Sequence, residues 1–373
     1  MKKYDISIII PTFNEAENIE NITRAVSGIL KDKGINGEIL VVDDNSSDGT
    51  IETVRRLQDE ISGLNLIVRE EDHGLSQSVV DGFKNAEADI IQVIDADFSH
   101  PPDLIPDFYN SIKTEGFDVV IGSRYMKGGD IMNWPLKRRV ISLGATAFGR
   151  ILFPEITDPV SGFFAINKDV VAGAEMKPRG YKILMEVLGK GRWEKAKEIP
   201  FIFKDREEGE SKLKLSTMAD YILQCMDIGK YALKTRKTGV WQEWKKIIKF
   251  GLVGASGIVV NTGILYGLTE YLGIYYMISS VFAIEASIIT NFILNDTWTF
   301  DGANKSHMEK RWKRFVSFQV VSVCGVVINM AVLFALTEFG GIYYIVSNIA
   351  GIFIAFIWNF LVNRHITWKN KTE

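Results

Sequence analysis

The C-terminal part of the chain contains one sequence twice. The segment GIVVNTGILYGLTEYLGIYY begins at Gly257, and GVVINMAVLFALTEFGGIYY begins 68 residues later at Gly325. The same offset aligns Asn291 with Asn359, so the similarity goes beyond shared composition and indicates an internal duplication. Any fold of this region must therefore contain two copies of one structural unit.

Each copy contains two apolar stretches of about 20 residues, the length that an α-helix needs to cross a bilayer core. They predict four membrane spans, near residues 247–271, 275–296, 315–338 and 342–363. Two spans per copy return the chain to its starting side, so the two copies lie parallel in the membrane. Residues 1–245 are instead mixed and charged, and the mean hydropathy of +0.07 averages two unlike parts.

Lysine and arginine predict how the spans are oriented. They occur before the first span, before the third and after the fourth, whereas the connectors YLGIYY and FGGIYY contain neither. By the positive-inside rule, the N-terminal domain, the central loop and the C-terminus face the cytoplasm. Cys225 and Cys324 suit that reducing compartment, since they show no metal spacing and offer no disulfide framework.

Glu285 is an acidic residue near the middle of the second predicted span, and its equivalent in the second copy is Phe353. An ionisable side chain at this depth is a candidate functional residue. We favour a structural hydrogen bond to an Asn or Thr of a neighbouring span, and we expect Asn291 and Asn359 to join helices.

Residues 1–245 alternate between strand and helix patterns. Short apolar runs rich in β-branched residues predict the strands, and helical periodicity predicts the helices between them. The predicted strands are Ile6–Ile10, Glu38–Val42, Leu64–Val68, Ile90–Ile94 and Val119–Ile121, and the predicted helices lie near Ala16–Leu30, Thr50–Glu60, Ser76–Ala86 and Leu104–Lys113. This alternation predicts an α/β domain with a mostly parallel sheet and helices on both faces.

Polar loops follow three of these strands, at Pro11–Glu15 (PTFNE), Asp43–Thr50 (DDNSSDGT) and Asp95–Pro102 (DADFSHPP). The carboxyl ends of parallel strands form the edge at which open α/β sheets bind ligands. Carboxylates beside buried apolar strands are costly unless something positive neutralises them. We therefore expect Asp95 and Asp97 to hold Mg²⁺ or Mn²⁺, and through the cation a diphosphate.

Other ligand classes are disfavoured. The chain contains neither the GxGxxG nor the GxxxxGK[ST] pattern, which argues against dinucleotide and P-loop sites. The net charge of −3 gives no basis for binding nucleic acid.

Seven motifs occur in one order across residues 5–215: IIPTFNEAENI, VVDDNSSDGT, DADFSHPPDLIP, GSRY, NWP, DPVSGFF and GESKLK. Together they resemble the family 2 glycosyltransferases, and more narrowly the dolichyl-phosphate mannose synthases, also called polyprenol-phosphate mannosyltransferases. The resemblance implies a Rossmann-like GT-A domain over residues 1–210 and amphipathic interfacial helices or a linker over 211–245. The duplicated region, residues 246–373, is similar to the GtrA-like four-helix transmembrane family.

The resemblance also implies a reaction. Mannose passes from GDP-mannose, with inversion, to a polyisoprenyl (dolichyl) phosphate supplied by the bilayer, and the products are dolichyl-phosphate mannose and GDP. A lipid phosphomonoester has a second pKa near 6, so it is already largely anionic and needs no general base. The site must instead hold two anionic partners in position with positive charge.

The family's site residues can be carried over to this chain. Arg124, Arg138 and Ser142 take the positions that bind the acceptor phosphate, and Arg206 with Lys212 matches a mobile segment that closes over the donor diphosphate. Ser99 stands as a third metal ligand beside the two aspartates, where some archaeal members carry glutamine, and Glu208 stands where arginine can occur. The residues expected to contact the donor are Pro11, Thr12, Asn14, Glu15, Asp43, Asp44, Asp95, Ala96, Asp97, Arg206 and Lys212, and those expected at the reacting centre are Asp97, Arg124, Arg138 and Ser142.

Two segments, Asn133–Phe153 and Ser211–Lys237, carry apolar residues at helical spacing with basic residues on the other face. This pattern is typical both of interfacial helices and of helices packed on a soluble core. The apolar region that follows favours the membrane interface.

Two alternatives stay open, and a third is disfavoured by its motif. The same reaction can use UDP-glucose or another nucleotide sugar, because the two aspartates read the diphosphate and not the sugar. A processive polysaccharide synthase would carry Q-x-x-R-W, but residue 189, before Arg192 and Trp193, is glycine. From another class comes a lipid-linked sugar flippase or lipid-binding membrane protein with an inactive transferase domain.

Overall fold

The computed structural model describes residues 3–71, 74–132, 134, 136–178, 180–204, 215–235, 238–300, 308–341 and 343–368. The chain forms two compact units, Met1–Trp241 and Gln242–Glu373.

The first unit alternates strands and helices, as predicted. Its elements are β1 (Ile6–Thr12), α1 (Ile19–Asp32), β2 (Gly37–Asp43), α2 (Thr50–Gln58), β3 (Leu64–Val68), α3 (Leu75–Asn85), β4 (Ile90–Val93), α4 (Ile105–Lys113), β5 (Val119–Ser123), β6 (Asp130–Met132), α5 (Leu136–Leu152), β7 (Phe164–Asn167), α6 (Ile183–Lys190), β8 (Ala196–Pro200), β9 (Ile202–Lys204) and α7 (Leu215–Thr235).

Seven strands form the main sheet in the order β3-β2-β1-β4-β7-β5-β8. All neighbours are parallel except β7, which runs antiparallel to both β4 and β5. Strand β1 is buried along its whole length, as expected for a central strand covered on both faces. The predicted α/β class with a mostly parallel sheet is confirmed.

Helix α1 shows how the sequence pattern produces the packing. Its buried residues follow helical spacing, which places one apolar stripe against the sheet. They are Ile19, Ile22, Thr23, Val26 and Leu30. The helix begins three residues later than predicted, because the preceding residues are held in the loop: the backbone N–H of Ala16 donates to Asp48, and that of Glu15 donates to Thr50.

Helix α7 lies in the segment expected at the membrane interface. One of its faces is buried in the first unit through Cys225, Ile228 and Ala232, and the Tyr221 hydroxyl donates to the Ala145 carbonyl at 2.7 Å. Packing on the soluble core therefore accounts for one stripe of this helix. The expected role at the membrane interface concerns the opposite face of α7 and stays a prediction.

The second unit is helical and contains most of α8 (Thr238–Tyr266), with α9 (Tyr276–Leu294), α10 (Met308–Phe334) and α11 (Tyr344–Val362). Three stretches of the described residues are long and apolar enough to cross a membrane: Trp244–Tyr271, Tyr276–Thr299 and Arg311–Phe339. The fourth predicted span coincides with α11, which is not among these three.

The second unit repeats with the period of its sequence. Helices α9 and α11 begin and end 68 residues apart, and each of the four helices continues into a short π-helical turn. These turns are Gly267–Tyr271, Asn295–Thr299, Ala335–Phe339 and Asn363–Thr367, so they also form two pairs separated by 68 residues. The π-helix is a rare conformation, and its recurrence at equivalent positions indicates that the duplication extends to backbone detail.

Glycine and asparagine join the helices within each repeat. A Cβ atom on Gly257 would lie 2.5 Å from the Asn291 amide nitrogen, and one on Gly325 would lie 2.6 Å from the Asn359 amide oxygen. Neither Oδ1 atom accepts a hydrogen bond from a described residue. The asparagines therefore join helices by close packing against glycine, which is a common arrangement in membrane bundles.

We expect Gly82→Ala, in α3, to lower the free energy of unfolding by about 1–3 kcal/mol. The added methyl would lie 2.7 Å from the nearest atom of the buried Ile9 side chain, so the core would be overpacked. Chemical denaturation of the purified protein measures the change. Gly28→Ala in α1 is the matched control, because its Cβ would meet nothing within 4 Å, and a gain of about 0.5–1 kcal/mol is expected there. Equal effects at the two glycines would contradict this packing.

Candidate active site

Three predicted loops meet at one edge of the sheet. Strand β1 lies between β2 and β4, and the strand order runs outward from it in both directions, which is the arrangement that opens a ligand crevice. The register aligns Thr12 with Asp43 and Ile9 with Val93. The polar loops that follow β1, β2 and β4 therefore lie side by side at the carboxyl edge of the sheet.

The first two loops are locked together around Asp43. This carboxylate is fully buried and accepts hydrogen bonds from the Thr12 hydroxyl (2.8 Å) and from the backbone and hydroxyl of Ser46 (2.7 Å each). Ser46 Oγ in turn accepts from the Asn14 backbone N–H at 2.8 Å. Of the predicted donor contacts, Thr12 and Asp43 thus have internal partners that shape the loops, and Asn14 lies beside them.

Three further predicted donor contacts lie along the same loops. Pro11 and Ala96 are buried, at the end of β1 and just after β4. The Glu15 carboxylate accepts a hydrogen bond from the Asn18 side chain at 2.9 Å, which holds it at the start of α1.

Asp44 forms an ion pair with an arginine that the sequence did not identify as a site residue. Arg69, just after β3, is buried and donates from Nη1 to Asp44 at 2.6 Å and from Nε to Asp81 at 2.8 Å. The backbone N–H of Gly74 donates to the second oxygen of Asp44 at 2.6 Å. Burial alone would raise the pKa of Asp81, but hydrogen bonds from Lys84 and Arg69 outweigh it and lower that pKa. Arg69 and Asp81 border an open cleft of about 490 Å³, which is also lined by Glu70, Glu71 and Asn85.

The loop after β4 carries Asp95 and Asp97, and a buried histidine organises it. His100 Nδ1 accepts the backbone N–H of Asp95 at 3.1 Å, and its ring stacks on Phe163 with centroids 4.9 Å apart. Burial lowers the pKa of His100, although the charges of Asp95 and Asp97 oppose that shift. His100 belongs to the DADFSHPP motif, but the sequence alone predicted no role for it.

The donor atoms of this loop fit a divalent cation. Asp95 is partly exposed, Asp97 accepts the Ser99 backbone N–H at 3.0 Å, and the Ser99 hydroxyl is buried without a hydrogen-bond partner among the described residues. Within that part of the chain, no three His, Cys, Asp or Glu side chains group as a metal site. Two carboxylates and a hydroxyl suit a cation whose shell is completed by phosphate oxygens and water.

Arg124, which follows β5, is buried and paired with a fully buried aspartate. Its Nε and Nη2 donate to the two oxygens of Asp158 at 2.7 and 2.9 Å, and its backbone N–H donates to the same carboxylate at 3.1 Å. Burial would lower the pKa of Arg124, but the charge and hydrogen bonds of Asp158 outweigh it and raise that pKa. Glu198 in β8 holds this turn by accepting from the backbone of Thr157 and Asp158 at 2.8 and 2.9 Å.

The bidentate pair leaves part of the guanidinium available. A guanidinium has five N–H donors, and Asp158 uses those on Nε and Nη2; no hydrogen bond joins Nη1 to any residue that the structure describes. Asp158 and Glu198 were missed because a sequence does not show which carboxylate faces which arginine; DPVSGFF was the nearest signal.

Ser142 is linked to the same region, since the Tyr125 hydroxyl donates to its Oγ at 2.9 Å. Arg138 lies four residues earlier on α5. Arg206, Glu208 and Lys212 lie outside the described residues.

The comparisons with known proteins agree with this architecture. Residues 7–173 match Glycosyl transferase family 2, and residues 249–368 match the family described as GtrA/DPMS, transmembrane domain. With the parallel sheet of the first unit and the apolar helices of the second, these matches define a glycosyltransferase that is a membrane protein.

A dolichol-phosphate mannosyltransferase of Pyrococcus furiosus is 43% identical over 367 residues, which cover 97% of this chain and 99% of that protein. Those of Mycosarcoma maydis and Saccharomyces cerevisiae are 36% and 34% identical, over 61% and 60% of this chain and 80% and 86% of their own. The chain belongs to the dolichol-phosphate mannosyltransferase family.

We expect His100→Phe to raise the divalent cation concentration needed for half-maximal transfer roughly tenfold, because the loop that carries Asp95 loses its acceptor while the stack on Phe163 is kept. A titration of transfer rate against Mg²⁺ or Mn²⁺ measures the effect. His100→Asn, whose side-chain oxygen can still accept the Asp95 N–H, should shift the titration less. An unchanged metal response in His100→Phe would show that the histidine does not organise the site.

Proposed function

We propose that the protein transfers mannose from GDP-mannose, with inversion at the anomeric carbon, to dolichyl or another polyisoprenyl phosphate. The observation that carries this proposal is the 43% identity to a dolichol-phosphate mannosyltransferase over nearly the full length of both chains. The sheet edge supports it, since loops with the family's motifs meet there.

The acidic side of the site would hold the donor. Asp95 and Asp97 supply the carboxylates for Mg²⁺ or Mn²⁺, with the Ser99 hydroxyl beside them, and the cation when bound would neutralise the diphosphate leaving group. The loops around Asn14 and Asp44 supply polar groups for the nucleoside. Arg206 and Lys212 are assigned to the same diphosphate from the family's motif.

The basic side would hold the acceptor. Arg124 is fixed by Asp158, so its orientation is set before the lipid arrives, and Nη1 can donate to an acceptor phosphate oxygen. Arg138 and Ser142 on α5 would complete that contact. The phosphate oxygen then forms its bond to the anomeric carbon as the bond from that carbon to the diphosphate breaks, and the acceptor needs no base because it is already anionic.

The membrane arrangement is also part of the proposal. Four spans, with the catalytic unit on the cytoplasmic side, follow from the duplicated apolar helices and from the basic residues at their ends. This placement brings the active site to the leaflet that supplies the lipid phosphate.

A panel of labelled donors decides the sugar. We expect label in the lipid phase from GDP-mannose, with a polyprenyl phosphate and Mg²⁺ or Mn²⁺, and none from UDP-glucose or UDP-GlcNAc. Label from a UDP-sugar alone would replace the mannose assignment and retain the mechanism.

We expect Asp97→Asn to abolish incorporation of label into the lipid phase. Asp103→Asn is the control, because Asp103 is an exposed acid six residues further on, and it should leave incorporation unchanged. Unchanged transfer in Asp97→Asn would reject the metal role.

We expect Asp158→Asn to raise the KM for the lipid acceptor and to lower kcat roughly 10- to 100-fold, because Arg124 loses the partner that orients its charge. Steady-state kinetics with both substrates varied separates this effect from a change in donor binding. Arg139→Gln is the control, since Arg139 lies exposed on α5, and wild-type kinetics are expected for it. A change confined to the KM for GDP-mannose in Asp158→Asn would place Arg124 on the donor side.

A further inference from the structure

The second unit has two junctions between its repeats, and they are built alike. At the junction of α9 with α10, Phe292 packs on Phe318 with ring centroids 5.8 Å apart. At the junction of α11 with α8, Phe360 packs on Phe250 at 5.5 Å. Each residue of the second pair stands 68 positions from its counterpart, so the two junctions are equivalent surfaces of a duplicated fold.

One of the differences between the junctions is a polar pair within the helices. Gln319 of α10 donates from Nε2 to Glu285 of α9 at 2.6 Å. The equivalent positions at the other junction are occupied by Gly251 and Phe353. Because the second junction forms with neither a carboxylate nor a carboxamide at these two positions, packing between the repeats does not require the polar pair. We expected Asn or Thr as the partner of Glu285, but the partner in the structure is Gln319.

The polar pair also lies deep along the helices and at the surface of the unit. Asp296, eleven residues after Glu285, forms ion pairs with Arg311 at 3.2 Å and Arg314 at 2.9 Å and so marks a charged end of the unit. Eleven residues of helix span about 16 Å, which is close to half of a hydrocarbon core about 30 Å thick. Glu285 is exposed on the surface of the unit, so in the proposed four-span arrangement it faces the middle of the bilayer.

Acyl chains cannot satisfy these groups. The Glu285–Gln319 bond leaves one carboxyl oxygen, the second carboxamide N–H and the carboxamide oxygen without a partner from this contact. Polar groups exposed to hydrocarbon at mid-bilayer are costly, and transmembrane helices use such groups to associate. Something outside the repeat must therefore complete their hydrogen bonding.

We propose that the α9/α10 face carrying Glu285 and Gln319 is the interface of a homodimer. A two-fold axis brings the same pair of a second copy opposite the first, so that the free carboxamide N–H of one copy donates to the free carboxyl oxygen of the other. This hydrogen-bond complementarity selects a second copy, because each chain offers the donor and the acceptor that the other lacks. Val281, Phe282 and Val323 expose 65%, 60% and 59% of their surface and supply apolar area around the polar centre.

Cysteine cross-linking in liposomes tests which face associates. The full-length chain is first shown to resist alkaline extraction from the bilayer. Each variant also carries Cys324→Ser, so that the introduced thiol is the one exposed in the spans. Phe282→Cys lies one turn from Glu285, and Ala350→Cys is its equivalent on the other junction. We expect oxidation to yield dimers from Phe282→Cys and few from Ala350→Cys; equal yields would overturn the assignment of the face. Failure of the alkaline test would count against the membrane placement itself and not against the dimer face.

Dilution in the bilayer tests the polar pair. Single-molecule photobleaching across protein-to-lipid ratios should show a dimer whose association constant falls roughly tenfold in Glu285→Leu and in Gln319→Leu, the usual contribution of a polar contact between membrane helices. Glu285→Gln, which can still bond, and Phe353→Leu, on the other face, should keep the dimer. Retained sugar transfer shows that each variant is folded. A monomeric wild type, a dimer insensitive to Glu285→Leu, or a copurified lipid lost in that variant would each reject the homodimer.

Discussion

Parallel pairing of β1 with β2 and β4 is the constraint on which the catalytic unit depends. It places the carboxyl ends of three strands side by side, and with them several carboxylates that would repel one another and lose their hydration. Separate contacts to individual carboxylates offset this repulsion and loss of hydration. Hydrogen bonds from hydroxyl and backbone N–H groups stabilise Asp43. Arg69 pairs with Asp44, and Arg124 pairs with Asp158. At the centre lies the pair Asp95 and Asp97. The Asp95 carboxylate is 3.6 Å from His100 Nδ1, the Asp97 carboxylate accepts the Ser99 backbone N–H, and this is the pair best suited to a cation.

Backbone conformation singles out the same three loops. Among the described residues, the non-glycine residues with positive φ are Asn14 (56°), Asn45 (63°) and Phe98 (58°), one in each loop. Asparagine tolerates this region, whereas a bulky residue there is unusual. Such strain persists where surrounding contacts fix the chain, and it concentrates at functional sites. At Phe98 those contacts come from its neighbours: Ser99 bonds to Asp97, and His100 is buried against Phe163.

The sequence predicted what depends on local pattern and missed what depends on distant partners. Periodicity located β1 to β5 and their helices, and composition placed the polar loops at the ligand edge. It did not reveal β7, a four-residue antiparallel strand whose neighbours lie far away along the chain. Arg69, Asp158 and Glu198 were missed for the same reason: the pairs Arg69–Asp44, Arg124–Asp158 and Asp158–Glu198 are separated by 25, 34 and 40 residues, and neither residue type nor spacing identifies such pairs.

A duplicated fold supplies its own comparison, because every position of one repeat has a counterpart that has had to satisfy the same packing. Residues that both copies share, such as the glycine and asparagine pairs, serve the fold. Positions where charge or polarity differs serve something the fold alone does not require. Glu285 and Phe353 are one such pair, and Asp296 and Arg364 are another, with opposite charges at equivalent helix ends. Asp296 draws Arg311 and Arg314 together at one end of the unit, so the second divergence has an internal partner. The first is exposed, and its remaining hydrogen bonds must be completed from outside the repeat.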